Sequence, residues 1–207
     1  MKPRLIISMI LDNSAAFQGE KFDNFKKAFE DCMKKFKENN PMNIDLEIIA
    51  FDEFTPIQLK TYRDEEFKCE ELKPYKMPFL GKAIDLSIQN MKGLIEYYQD
   101  KNVPMFKPWM FILTDAYTLD DIDYSVSAMK KFFIETKVLY MPFILSQKKI
   151  PQNCESLAGI KNLMRIKDNT YDQFFDWFYN IAMKRADTDL DVGVKFNRSE
   201  FEGWAVL

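Results

Sequence analysis

At 207 residues the chain is long enough for one domain with a substantial core. Apolar residues make up 47% and aromatics 15% of it, which excludes global disorder, and a net charge of −3 offers no basic face for nucleic acid. The complete absence of histidine removes Ser-His-Asp and Cys-His catalysis, along with the commonest metal ligand.

Leu5 to Leu11 form an almost unbroken apolar run, closed by Asp12-Asn13-Ser14. A short run of this kind predicts a strand buried on both faces of a parallel sheet. The basic start followed by this run also looks like a short signal peptide with Ala15-Ala16 as its cleavage site, but Asp12 interrupts the apolar stretch where such a peptide continues. After a loop with Gly19, Phe22, Phe25, Phe29, Cys32 and Phe36 recur at steps of three and four, predicting an amphipathic helix that ends near Asn39-Asn40-Pro41. Ile44 to Phe51 read as a second strand, and Ile57, Leu59 and Thr61 alternate as an edge strand does. Arg63 to Lys76 read as a charged surface connection.

From Leu80 the spacing of Ala83, Ile84, Ile88, Met91, Ile95 and Tyr98 predicts a second helix with Gly81 in its first turn. Trp109 to Leu113 form another fully apolar strand ending in a polar pair, Thr114-Asp115. Asp120-Asp121 read as a helix start with acid in its first turn, and Val126, Met129, Phe132 and Phe133 as that helix's buried side. Val138 to Leu145 predict a further strand, with Pro142 pointing to a bulge or a position near the edge. A weak last strand at 163–166 precedes a strong helix capped by Asn169 or Thr170. Alternating strands and helices predict an α/β fold: a doubly wound, mostly parallel sheet with one antiparallel edge strand and helices on both faces. The expected organisation is a single domain over 1–186, with 187–207 as a tail anchored back by Phe201, Trp204, Ala205 and Val206.

Cys32, Cys69 and Cys154 are odd in number and far apart, which argues against a disulfide framework and fits a reduced, cytoplasmic setting. No stretch approaches transmembrane length. No Gly-rich phosphate loop follows the first strand. The chemistry left is an oxygen cluster: Asp12, Ser14 and Asp115 at the ends of strands that a parallel sheet can make neighbours, hard donors suited to Mg²⁺ or Ca²⁺. A competing reading gives the two aspartates a structural duty, accepting backbone N–H bonds from loops at the sheet edge.

These residues resemble the von Willebrand factor A domains, and among them the small bacterial proteins linked to tellurite resistance. In that family the first strand ends in Asp-x-Ser-x-Ser, a threonine shortly precedes Leu-Gly and a helix, and a middle strand ends in Thr-Asp-Gly; together they form a metal-ion-dependent adhesion site. Here the first motif is Asp12-Asn13-Ser14-Ala15-Ala16, followed by Gly19-Glu20. Lys107-Pro108-Trp109 through Thr114-Asp115-Ala116 is similar to the bacterial Pro-Trp to Thr-Asp-Gly stretch, and Gly203-Trp204 to the tail of those proteins. Ala16 stands where the second serine belongs, Pro78 where the threonine belongs, and Ala116 in place of the glycine.

The resemblance implies a degenerate metal site of Asp12, Ser14 and Asp115, weak Mg²⁺ binding at most and no tightly bound cofactor. It also implies a non-enzymatic, bacterial, cytoplasmic protein-interaction module, with no membrane or nucleic-acid partner. Phe17, Phe79 and Tyr117, in the loops nearest the site, are the expected contacts for a protein partner. Two alternatives stay open: a Mg²⁺-dependent adhesion module, and a phosphotransfer enzyme of the haloacid dehalogenase type with Asp12 as nucleophile. The second position of the latter's usual Asp-x-Asp turn is Ser14 here.

Overall fold

The computed structural model describes residues 2–13, 18–39, 41–51, 57–59, 78–115, 117–145, 155–158, 164–193 and 195–206. Among the described residues seven strands form one sheet: β1 (Leu5–Asp12), β2 (Ile44–Phe51), β3 (Ile57–Leu59), β4 (Trp109–Thr114), β5 (Leu139–Ile144), β6 (Met164–Ile166) and β7 (Ala205–Val206). Their spatial order is β3-β2-β1-β4-β5-β6-β7. The five central strands run parallel, while β3 pairs antiparallel with β2 and β7 antiparallel with β6. Both edges are therefore antiparallel: the second arises where the tail folds back, and its two residues carry no alternation that a sequence reading can detect.

The helices α1 (Glu20–Asn39), α2 (Leu80–Asp100), α3 (Asp123–Thr136), α4 (Glu155–Ala158) and α5 (Tyr171–Ala186) divide between the faces. Alternation along β1 explains the division, since successive side chains of a strand point to opposite sides. Leu5, Ile7, Met9 and Leu11 join the apolar cluster of α1 and α5, whereas Ile6 and Ile10 join that of α2 and α3. Ser8 shares the second face, and its hydroxyl accepts from Ser87 Oγ (2.8 Å) and donates to Glu47 Oε2 (3.2 Å). Asn90 donates to the other oxygen of Glu47. The polar residue in the middle of an apolar strand is thus satisfied by α2 and β2, as a buried hydroxyl requires.

Pro142 pairs with Ile112 of β4 one residue before β5 begins to pair with β6. A residue with no N–H is tolerated there because one flank has no ladder partner among the described residues. Thr170 holds the N-cap position of α5, yet its hydroxyl donates to the carbonyls of Lys167 (2.8 Å) and Trp204 (3.2 Å) rather than closing the helix end. It fastens the tail instead. Phe201 and Trp204 are buried beside Trp177 of α5, with ring centroids 5.3 and 5.2 Å away, and Trp204 also packs on Phe143 and Phe174. Cys32 is buried on α1, where its thiol donates to the Phe175 carbonyl (3.6 Å) and burial pushes its pKa up, so it stays an inert thiol. Cys69 and Cys154 lie outside the described residues. No described helix is long and apolar enough to cross a membrane.

Two stability measurements follow from this packing. Trp204→Ala removes a ring from the centre of an aromatic cluster and loosens β7, and urea denaturation is expected to show a loss of about 3–5 kcal/mol. Burial, helped by the Asp168 carboxylate, pushes the Tyr171 phenol up to about 12. The folded state therefore holds this proton more tightly than the unfolded chain. The resulting stability is whole below pH ~10 and declines as pH rises toward 12, by about 1 kcal/mol at pH 11. Denaturation curves of Tyr171→Phe should lack this part of the alkaline decline.

Candidate functional site

The order of strands reverses between β1 and β4, and in open α/β sheets the crevice at such a point, beyond the carboxyl ends, is where ligands bind. Asp12 ends β1 and Asp115 follows β4, whose register sets Leu11 opposite Leu113. The two aspartates meet there. Asp12 is 1% exposed, and its Oδ2 accepts from Thr114 Oγ1 and from the Asp115 backbone N–H, each at 3.0 Å. Asp115 is half-buried, and its Oδ1 accepts the Tyr117 N–H at 2.8 Å. Asn13 is also buried and donates its N–H to the Phe51 carbonyl (3.1 Å). Its side-chain oxygen has no hydrogen-bond partner among the described residues.

A second set of bonds ties the loop after β4 to the start of α2. The first four N–H groups of a helix have no partner within it and need acceptors from elsewhere. Phe79, at the N-cap position, has no polar side chain to offer. The Leu80 N–H donates to Thr118 Oγ1 (3.1 Å) and the Lys82 N–H to Asp120 Oδ2 (3.3 Å). The Thr118 hydroxyl in turn reaches Asp120 Oδ1 and the Pro78 carbonyl, and that carbonyl also accepts the Leu119 N–H (3.0 Å). Gly81 makes room for this contact: a Cβ there would stand 2.7 Å from Asp120 Oδ2 and 3.1 Å from Ser125 Oγ.

Asp120 thus serves α2. The third helix begins three residues later, at Asp123, whose N–H is met by Asp121 Oδ1 (3.0 Å). This corrects the expectation for Asp120, while Asp121 does serve the start of that helix. The reason is long-range: the α2 terminus demands a carboxylate, and its nearest supply is the neighbouring loop.

Of the other residues singled out by sequence, Ser14, Ala16, Phe17 and Ala116 lie outside the described residues. Pro78 is buried and takes part through its carbonyl. Phe79 is half-buried, with the Lys82 ammonium 4.9 Å from its ring centroid. Tyr117 is 41% exposed, and Leu119 beside it is 48% exposed. Thr114, Thr118 and Asp120 are the members of the site that sequence reasoning did not assign. A helix preceded by an apolar residue instead of a cap was the available signal for the last two. At this edge the carboxylates of Asp12 and Asp115 both already accept bonds from the chain. Among the described residues no group of three or more histidine, cysteine, aspartate or glutamate side chains is arranged to hold a metal ion.

Asp12→Ala leaves the Thr114 hydroxyl and the Asp115 N–H without their buried acceptor and is expected to cost about 1–3 kcal/mol in denaturant unfolding. Gly81→Ala displaces the Asp120 carboxylate from the α2 terminus. Loss of such a cap is expected to cost about 1–2 kcal/mol, measurable as a lowered urea midpoint with unchanged m.

No family model matches the sequence, and no curated protein does. Among solved structures the chain is similar to proximal thread matrix protein 1 from the mussel byssus in two crystal forms, with TM-scores of 0.59 and 0.58. Identities are 11% and 12%, and in both cases 87% of this chain is covered. The chain spans about half the length of that protein, 48% and 46% in the two structures. The vWF domain of the type V pili tip protein Mfa5 from Porphyromonas gingivalis aligns over 57% of this chain and 40% of its own, with a TM-score of 0.44 and 12% identity, a likeness too slight to add to the first two. The architecture is an α/β, Rossmann-like fold, and at these identities the likeness concerns fold alone.

Proposed function

We propose that this chain is a non-enzymatic protein-interaction module of the von Willebrand factor A type, with an incomplete metal site, that binds a protein partner through the loops at the carboxyl edge of its sheet. The observation that carries the reading is the pair of internal ties at that edge. Asp12 is engaged by Thr114 and Asp115, and the α2 terminus is engaged by Thr118 and Asp120. Protein groups thereby do the work of joining these loops that a cation performs in a complete site. Pro78 supplies a carbonyl in place of a hydroxyl ligand, and two bonds already converge on that carbonyl.

The ties hold a rigid platform from which Tyr117 and Leu119 project into solvent, and a rigid scaffold carrying exposed apolar side chains suits recognition. Phe17 and Phe79 complete the proposed contact set. A cytoplasmic, bacterial setting and kinship with the tellurite-linked proteins belong to the same reading. So does the absence of catalysis: a carboxylate that is 1% exposed and fixed by two donors is poorly placed to attack a phosphoryl group.

The second reading, a Mg²⁺-dependent module, is favoured by one fact: two carboxylates do adjoin at the point where the strand order reverses. A thermal melt with increasing Mg²⁺ separates the two. A ligand of the native state raises Tm as its concentration passes Kd. The incomplete site predicts no shift at millimolar Mg²⁺, and a saturable rise that Asp115→Ala abolishes would establish the metal-dependent module instead. Partner capture should fall at least tenfold in the Tyr117→Ala, Leu119→Ala double variant while Tm stays within a few degrees, the scale of losing a contact hot spot. Capture unaltered by that change would move the interface off this edge.

A further inference from the structure

The edge of the sheet opposite Asp12 holds a cavity that this proposed interaction does not use. There the end of α5 and the tail that follows it enclose a cavity of about 360 Å³, lined among others by Ile181, Lys184, Arg185, Val192, Lys195 and Phe196. No acidic residue lines it among the described residues, although the chain as a whole is acidic. Lys184 and Lys195 are exposed and in no ion pair with a described residue.

Arg185 is the unusual member. It is 8% exposed, its guanidinium carbon lies 4.0 Å from the Phe106 ring centroid, and no described carboxylate pairs with it. Nη1 donates to Thr188 Oγ1 (3.1 Å), to the Asp189 carbonyl (3.5 Å) and to the Val192 carbonyl. Nε and Nη2 make no hydrogen bond with a described residue. Buried cations are normally paired, because removing the charge from water is costly. Desolvation here works against the charged form and lowers the pKa of Arg185.

We propose that this cavity binds a small carboxylate with an apolar body, of the aryl- or alkyl-carboxylate class. The Nε–Nη2 side of the guanidinium presents two parallel donors, the fork that matches a carboxylate bidentately. Ile181, Val192 and Phe196 receive the apolar part, and the two lysines raise the local anion concentration at the mouth. A cavity of this size and mixed lining lies in the range of small-molecule sites. The bonds from Nη1 hold the tail over α5, so the ligand's carboxylate would complete the neutralisation of a group that the fold already requires.

The test uses the whole chain and three probes: phenylacetate, its neutral analogue phenylacetamide, and inorganic phosphate. Calorimetric titration and the fluorescence of Trp177, whose ring centroid is 5.8 Å from that of Phe196, report binding. Saturable phenylacetate binding is expected, with the amide and phosphate each at least about tenfold weaker, since each lacks one half of the recognition. Arg185→Lys, which keeps the charge but loses the fork, should weaken phenylacetate about tenfold. Should that variant fail to fold, Val192→Trp fills the cavity from an exposed position and should abolish binding with the fold retained. The proposal is overturned by no saturable phenylacetate binding up to about 10 mM, by equal affinity for phosphate or the amide, or by full binding in Val192→Trp. None of these outcomes bears on the opposite edge, so the interaction reading stands or falls separately.

Discussion

One carboxylate kept out of water organises the upper edge of this molecule. A buried charge is tolerated only where donors replace its hydration, and Asp12 obtains two from the end of β4. β4 is in reach because the strand order reverses beside β1, so that the third parallel strand of the chain becomes the neighbour of the first. Topology therefore supplies the partners, and the partners in turn fix where the chain leaves β4. From there the loop has a second obligation, the unfilled N–H groups of α2, which it meets with Thr118 and Asp120. An edge that a fold of this kind leaves open for a ligand is here cross-braced by the protein's own groups.

The strands and helices were largely legible because each carries a local pattern. The unbroken apolar runs of β1 and β4 mark strands covered on both faces, and the Phe22-to-Phe36 spacing marks one face of α1. The neighbourhood of Asp12 and Asp115 was also legible, since both strands end in an acid and a parallel sheet aligns such ends. The backbone N–H bonds that Asp12 and Asp115 accept match the structural duty read for them, whereas the side-chain bonds made across the chain stayed hidden. Asp120 sits just before a helix and by local logic belongs to it, yet it serves a helix that starts forty residues earlier in sequence. Thr170 is a cap by position and a tail fastener by contact. β7 escaped because two residues have no period.

Two arginines at the opposite edge illustrate how context sets the duty of one residue type. Arg4 and Arg185 each lie over an aromatic ring, Tyr98 and Phe106 respectively. Arg4 is bound at Nε and Nη2 to both oxygens of Asp45, which also accepts the Tyr98 hydroxyl. Its charge is matched within the fold, and it closes the β1–β2 edge. Arg185 has the same aromatic support and only carbonyl and hydroxyl oxygens on one nitrogen. The difference between a structural ion pair and a receptive cation here lies in a carboxylate that no described residue supplies to Arg185.

The short β7 strand has a consequence for how the folded molecule behaves in company. An uncovered strand presents unpaired N–H and C=O groups that can template another chain. Arg165 and Ile166 of β6 are masked by Val206 and Ala205, and the mask is held by Trp204 and the Thr170 hydroxyl rather than by its own two-residue ladder. Whatever releases those anchors opens the core beside Trp177 and uncovers a flank at the same time, so a damaged tail should show self-association along with its loss of stability.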